Sequence, residues 1–217
     1  MRKWMICLLL LLLTVLSGCE MVINDVTSFR SAINNFDVHD TTGYYFKTTQ
    51  YESETILNED TIDLRIDWEN LKMYTLFYEK HLNAFHSDKV FGERAYTTYF
   101  YDNQIGYQED ESAVTWQAGA LEQYTAAKLP IKPDGLFAKQ FETYEVIKGE
   151  TTKTITGRMK SPKALLDFSA DIEYLDLIII INNDSTIVSI ELTIQLSTTR
   201  IQMVFEAYYE PQVIIIP

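Results

Sequence analysis

Strict alternation of apolar and polar residues is the feature that most restricts the fold of this chain. From Thr61 to Glu69 every second residue is apolar, namely Ile62, Leu64, Ile66 and Trp68, and the residues between them are charged. Because successive side chains of a strand point to opposite faces, this pattern predicts a half-buried antiparallel strand. The same period returns over 186–196 and 200–209. Alternation predicts that Leu64, Ile66, Ile190, Leu192 and Phe205 are buried, and that Asp63, Asp67, Glu191 and Gln195 are exposed.

Short polar segments separate the predicted strands. Asp102-Asn103 lies between the segments 95–101 and 104–107, and Asn182–Ser185 lies between 172–181 and 186–196. Such spacing is typical of β-hairpins. Eight or more strands joined mostly by hairpins form a meander, and a wide, twisted antiparallel sheet curls or closes. We therefore predict one curved antiparallel sheet with one apolar face.

Helical spacing is confined to four places. Apolar residues recur at steps of four, three, four and three from Val22 to Phe36, which predicts an amphipathic N-terminal helix over 23–36. Shorter helices are predicted around 118–129, 135–141 and 161–169, and they are expected to cover the apolar face of the sheet. No linker rich in Gly, Ser or Pro interrupts the chain, so 23–217 is expected to be one mainly β (α+β) domain.

The first 19 residues have the form of an export signal. Arg2 and Lys3 precede the apolar segment Trp4–Val15, which is shorter than the roughly 20 residues that a membrane-spanning helix needs. Leu16-Ser17-Gly18-Cys19 then resembles the lipobox of bacterial lipoproteins. That resemblance implies a signal peptide at 1–18, diacylation of Cys19 and a short lipidated tether at 19–22. The mature protein would be lipid-anchored on the extracytoplasmic face of the cell membrane.

Charge and cysteine content exclude several partners. The chain has 18 Lys+Arg against 31 Asp+Glu, a net charge of −13. Nucleic acid is therefore not an expected partner, and the overall charge disfavours docking on anionic lipid by a basic patch. The only other cysteine, Cys7, lies in the predicted signal, so no disulfide is expected in the mature chain.

No pattern in the sequence indicates catalysis or a metal site. His39, His81 and His86 are the only histidines, and their spacing does not suit a shared ion, so they are expected to be exposed or in loops. The acidic run 108–112 lacks the ligand ladder of a calcium loop. There is no Gly-x-Ser-x-Gly and no Gly-rich phosphate loop. We predict no catalytic residues, no metal, no cofactor and no enzymatic activity.

The order of these features resembles the LolA/LppX-like superfamily of bacterial lipoproteins and lipoprotein carriers. The resemblance rests on the lipobox at Cys19, the predicted helix over 23–36, a strand meander interrupted near 118–141, and the ending Tyr208–Pro217. It covers nearly all of the mature chain. It implies a half-barrel whose sheet is lidded by helices and encloses an apolar cavity, and it transfers no functional residue.

Two functions follow as hypotheses. The first is a non-enzymatic lipoprotein that binds an apolar, lipid-like ligand in the half-barrel cavity, with Trp68, Trp116, Ile66 and Leu64 as the expected lining. The alternative is an interaction or sensory lipoprotein with a filled core that recruits an envelope protein through its acidic surface. An empty apolar space of several hundred Å³ beneath the helices would favour the first, and ordinary packing would favour the second.

Overall fold

The computed structural model describes residues 26–82, 92–109, 112–121, 129–160, 162–166 and 171–217. The strands are β1 (Gly43–Glu52), β2 (Thr55–Asp67), β3 (Lys72–His81), β4 (Gly92–Tyr101), β5 (Gln104–Glu109), β6 (Thr115–Ala118), β7 (Phe141–Lys148), β8 (Thr152–Met159), β9 (Tyr174–Asn182), β10 (Ile187–Gln195) and β11 (Thr199–Tyr208). Residues 26–34 form an α-helix, α1. Single 3-10 turns lie at Val38–Asp40, Pro133–Gly135, Ala138–Gln140 and Pro162–Ala164.

All eleven strands belong to one antiparallel, open sheet in the order β6-β5-β4-β3-β2-β1-β11-β10-β9-β8-β7. Two meanders build it, β1 to β6 and β7 to β11, and they meet where the first strand pairs with the last. The chain must therefore pass from the edge strand β6 to the opposite edge strand β7 between residues 118 and 141. The predicted fold class, mainly β with a curved, unclosed antiparallel sheet, is confirmed.

One face of the sheet carries the core, and we call it the covered face. Ile155, Ile179, Ile190 and Phe205, on β8 to β11, lie directly opposite one another across the ladders and are at most 1% exposed. On α1, Val26, Phe29, Ala32 and Ile33 belong to the same cluster. The other side of the sheet, which carries Arg158, Asp176 and Glu191, is called the open face.

The described parts of the crossing segment, 119–121 and 129–140, pack on the covered face. Leu121 belongs to a second cluster with Leu64, Ile66, Met73 and Phe100, whereas Ile131 and Leu136 belong to the cluster beneath α1. Its described parts differ from the prediction, because the predicted helix over 135–141 is replaced by two 3-10 turns and the start of β7. Most of the predicted helix over 118–129 lies outside the described residues.

Other elements depart from the sequence pattern for local reasons. The predicted helix at 161–169 is seen only as the 3-10 turn Pro162–Ala164, and part of that range is outside the described residues. The four-residue strand β6 was not predicted, since it is too short to show a period. A bulge between Ile187 and Ser189 shifts the register of β10, so Ile187 is buried although it is out of phase with Ile190 and Leu192.

The predicted faces are otherwise correct. The five apolar residues expected inside are all buried, at 0–2% exposure. Glu191 is exposed, whereas Asp63, Asp67 and Gln195 are only half-buried rather than exposed. Asp63 is screened because the Arg65 guanidinium lies 2.9 Å from its Oδ2. Asp67 accepts hydrogen bonds from the backbone and side chain of Asn70, and the Gln195 side chain donates to the carbonyl of Leu196.

The predicted turn at Asp102-Asn103 has the geometry that its residues favour. Both residues have positive φ, 51° and 57°, and they join β4 to β5 as a two-residue loop. This is the type I′ turn whose twist matches that of the flanking strands. Only Gly, Asn and Asp adopt left-handed backbone at low cost.

Replacing Asn103 with valine should therefore destabilise the fold by about 1–2 kcal/mol, the cost of a β-branched residue in left-handed backbone. Asn103→Gly, the matched control, should be neutral or slightly stabilising. Denaturant unfolding of the two variants checks this. Equal free energies of unfolding for valine and glycine would mean that the turn is not type I′ in solution.

Candidate functional site

A half-exposed apolar row on the covered face is the candidate site. The ladders place Phe46, Ile62, Phe77 and Tyr96 directly opposite one another across β1 to β4, in continuation of the buried row that crosses β8 to β11. Phe205 is 1% exposed, but these four residues are only half-buried. Together with Tyr107 on β5, which is 39% exposed, we call them the aromatic strip.

The rings of the strip contact one another. Phe77 and Tyr96 stack with centroids 4.7 Å apart and an angle of 11° between their planes, and Tyr107 lies 5.5 Å from Tyr96. Aromatic and β-branched residues favour strands, which explains why the sequence places them here. The result is a continuous apolar surface beside the buried core.

A polar border limits the strip on the side away from the buried core. The next row on the same face is Thr48, Asp60, Glu79 and Arg94. Nε and Nη2 of Arg94 lie 2.9 and 2.8 Å from Oε2 of Glu79, and the guanidinium lies 5.2 Å from the centroid of Tyr96. Because Arg94 and Glu79 neutralise each other, this border does not need a charged ligand to balance it and can lie next to an apolar surface.

His81 is part of this border, and its position corrects the expectation that the histidines are exposed. It lies on β3, is 2% exposed, and has Nε2 3.0 Å from Oδ1 of Asp60. Its Nδ1 lies 3.3 Å from Oδ1 of Asn58. The Nδ2 group of Asn58 in turn donates a hydrogen bond to Oε1 of Gln50. His39 is exposed as expected, and His86 lies outside the described residues.

The phenol of Tyr96 is neutral at physiological pH. Burial, with a smaller contribution from the carboxylate of Glu79, raises its pKa above the ordinary value. The strip therefore presents no ionised group of its own, and an apolar molecule can contact it without displacing a charge from water.

The structure brings together three of the four residues expected to line a pocket. Leu64 and Ile66 are at 0% and 1% exposure in the second cluster, and Trp68 packs against that cluster. The indole of Trp68 donates from Nε1 to the carbonyl of Thr41 at 2.7 Å and stacks on His39. These residues form a filled core beside the aromatic strip, and a lining role for them stays a prediction.

Trp116 lies on the open face, away from the other three. Its ladder partner is Gly106, and a Cβ on Gly106 would lie 3.0 Å from the indole, so the ring rests over the glycine. The same open-face row continues through Tyr99 and Tyr74 to Arg65. Sequence reasoning could not separate the two faces here, because β6 has no alternation to read.

The open face also has a concavity of about 680 Å³ near β7, β8 and β9. Among the residues that line it are Glu145, Arg158, Asp176 and Glu191. Arg158 makes two hydrogen bonds to Asp176, of 2.6 and 2.7 Å, and its guanidinium lies over Tyr174. The remaining carboxylates give this concavity an acidic wall. It is on the side of the sheet opposite the predicted cavity.

Within the ranges that the structure describes, no cluster of three His, Cys, Asp or Glu side chains has the arrangement of a metal site. In the same ranges, no helix has both the length and the hydropathy needed to cross a bilayer.

Among the comparisons with known proteins, only the comparison with solved structures gives a match. No family model matches the chain, and no curated protein does. Among solved structures, the crystal structure of the Mycobacterium tuberculosis lipoprotein LppX aligns with 87% of this chain and 96% of its own, at 15% identity and a TM-score of 0.36.

Proposed function

We propose that the mature protein is a non-enzymatic lipoprotein, held by lipid at Cys19 on the extracytoplasmic face of the cell membrane, that binds an apolar, acyl-type ligand along the aromatic strip. The observation that supports this proposal is one continuous apolar row across eight strands. The row is buried from Ile155 to Phe205 and half-exposed from Phe46 to Tyr96. Large contiguous apolar patches on a protein surface are usually binding sites.

The core beneath α1 is filled, which by itself favours the interaction protein over a carrier with an enclosed cavity. The acyl ligand is therefore assigned to the strip and not to a cavity. Phe29 on α1 is fully buried, and Phe36, just after α1, meets Phe205 edge-on at 5.5 Å. An extended acyl chain fits the strip better than a compact ligand does, because the residues of the strip lie side by side on five neighbouring strands. Its recognition would depend on buried apolar area, so binding should respond little to salt.

Phe77→Ala should weaken binding of a fluorescent fatty acid by the full mature chain roughly ten-fold, the effect of losing about 1.4 kcal/mol of apolar contact. The matched control is Tyr78→Ala. Tyr78 is the next residue on β3, is also half-buried, and points to the open face. Fluorescence titration of both variants checks this, with thermal melts to show that each is folded. Equal loss of affinity in the two variants, or no binding by the wild-type chain, would refute the assignment.

The acidic concavity on the open face favours a second candidate function, recruitment of an envelope protein. Glu145 and Glu191 are exposed there, and both are accessible to a cationic partner. Charge-driven association of this kind weakens with ionic strength, unlike acyl binding. Glu145→Gln together with Glu191→Gln should then reduce capture of the partner while leaving the fatty-acid titration unchanged.

A further inference from the structure

The part of the covering layer that lies over the β7–β11 half of the sheet is basic, although the chain as a whole is acidic. Its described parts, 26–34, 129–140, 160 and 162–166, carry five cations: Arg30, Lys132, Lys139, Lys160 and Lys163. Two carboxylates accompany them, Asp134 within the layer and Asp171, whose Oδ1 lies 3.1 Å from Nζ of Lys163. A net charge of −13 therefore conceals one surface of opposite sign.

An exposed aromatic ring lies within this basic layer. Phe137 is 37% exposed, and two cations flank it: Cζ of Arg30 at 4.7 Å and Nζ of Lys139 at 5.6 Å from the ring centroid. Beside it is a groove of about 310 Å³, lined by Val26, Thr27, Arg30, Leu136, Phe137, Ala138 and Lys139. An aromatic ring between basic side chains is the composition that binds at the boundary between lipid headgroups and acyl chains.

The pairing of the strands shows at which end of the sheet Phe137 lies. Phe137 lies just before β7. Strand pairing aligns the start of β7 with Leu175 on β9, Ile194 on β10 and Gln50 on β1. Gln50 is near the end of β1 that is opposite to Gly43. The turn containing Leu71 lies beyond the other end of the strands, next to the pair Asp67 and Lys72. Phe137 and Leu71 thus lie at opposite ends of the sheet.

The described chain begins, at Val26, at the same end of the sheet as Phe137. Val26, which starts the described part of α1, lines the groove with Phe137, whereas Phe36 just beyond α1 lies near Ile187 and Tyr209 at the other end. Six residues separate Cys19 from Val26, a reach of at most about 25 Å. A lipid on Cys19 would hold this end of the domain against the bilayer.

We infer that the surface formed by Arg30, Phe137 and Lys139 docks on an anionic phospholipid bilayer, with Phe137 inserted at the interface. This inference rests on the proposed lipid attachment at Cys19, which raises the local concentration of the surface at the membrane. Each cation near an anionic surface contributes about a five-fold preference for the docked state. Docking fixes the sheet upright, with the Leu71 end in water.

A site-directed spin label tests the docking directly. Because the two natural cysteines are in the predicted signal and at the acylated position, Phe137→Cys supplies the only free thiol in the mature lipoprotein. The labelled, lipidated chain is reconstituted in vesicles containing phosphatidylglycerol, and collision of the label with oxygen and with a water-soluble nickel chelate is measured. The control is Leu71→Cys, since Leu71 is also apolar and 56% exposed.

The label at 137 should collide with oxygen and be protected from nickel. The label at 71 should be freely accessible to nickel, with a much lower ratio of oxygen to nickel collision. Arg30→Gln and Lys139→Gln should each lower the ratio of inserted to non-inserted label roughly five-fold. Nickel access at both positions, in a chain that sediments with the vesicles, would overturn docking and leave the lipid anchor standing. A label shielded from both reagents would indicate a protein partner and overturn it too. A chain that does not sediment and has an unmodified Cys19 would overturn both proposals.

Discussion

Phe205→Ala should lower the free energy of unfolding by about 3–5 kcal/mol, as truncation of a buried aromatic ring does when the site cannot collapse. Phe205 lies on β11, the strand that joins the two meanders, and it is 1% exposed. Its ring contacts Phe36 at 5.5 Å and Tyr44 at 5.6 Å between centroids. The cavity would therefore open where α1, β1 and β11 meet, and denaturant unfolding measures the cost.

Glu206→Ala is the matched control for this truncation. Glu206 follows Phe205 on the same strand, lies on the open face and is exposed. Its removal should change the free energy of unfolding by less than about 0.5 kcal/mol. If the two variants lost equal stability, β11 would be paired in a register shifted by one residue, because such a shift exchanges the two faces.

The covered and open faces could be predicted from the sequence because alternation and packing are both local. Ile190 and Leu192 alternate with Glu191, and the structure buries the first two and exposes the third. The turn at Asp102-Asn103 could likewise be predicted, because left-handed backbone is a property of these residue types. The burial of Ile187 could not be predicted, since it results from a bulge, and a bulge depends on the pairing register of β9 and β10.

The candidate site was harder to predict because it depends on which strands are neighbours. The abundance of aromatic residues is visible in the sequence, but the alignment of Phe46, Ile62, Phe77 and Tyr96 follows from the pairing of four strands in one register. Trp116 shows the same difficulty. Only its pairing with Gly106 reveals that its ring lies on the open face, away from Leu64 and Ile66.

The basic surface was hidden for a related reason. Its cations are widely spaced along the chain, from Arg30 to Lys163, and no segment of the sequence contains a run of them. They come together because α1, the crossing segment and the turn Pro162–Ala164 all lie over the same half of the sheet. Net charge is a property of the whole chain and does not show how charges are distributed over the surface. The prediction from net charge, that the protein has no basic patch, therefore missed this end of the domain.

Cys19→Ala should abolish membrane attachment of the full-length chain, releasing the protein from the membrane fraction or leaving an uncleaved precursor. Residues 1–25 lie outside the described part of the structure, so the argument depends on the sequence. The lipobox supplies the only thiol that directly follows two small residues, Ser17 and Gly18, after an apolar segment. Two acyl chains give stable anchoring, and without them no described helix could replace the anchor.

Cys7→Ala is the control, because it removes the other cysteine from the same apolar segment without touching the lipobox. Metabolic labelling with palmitate should be lost completely in Cys19→Ala and retained in Cys7→Ala, and the mass of the N-terminal peptide should show whether cleavage occurred. Palmitate that persists in Cys19→Ala would place the lipid elsewhere. The six residues between Cys19 and Val26 would then no longer hold the basic surface around Phe137 against the membrane.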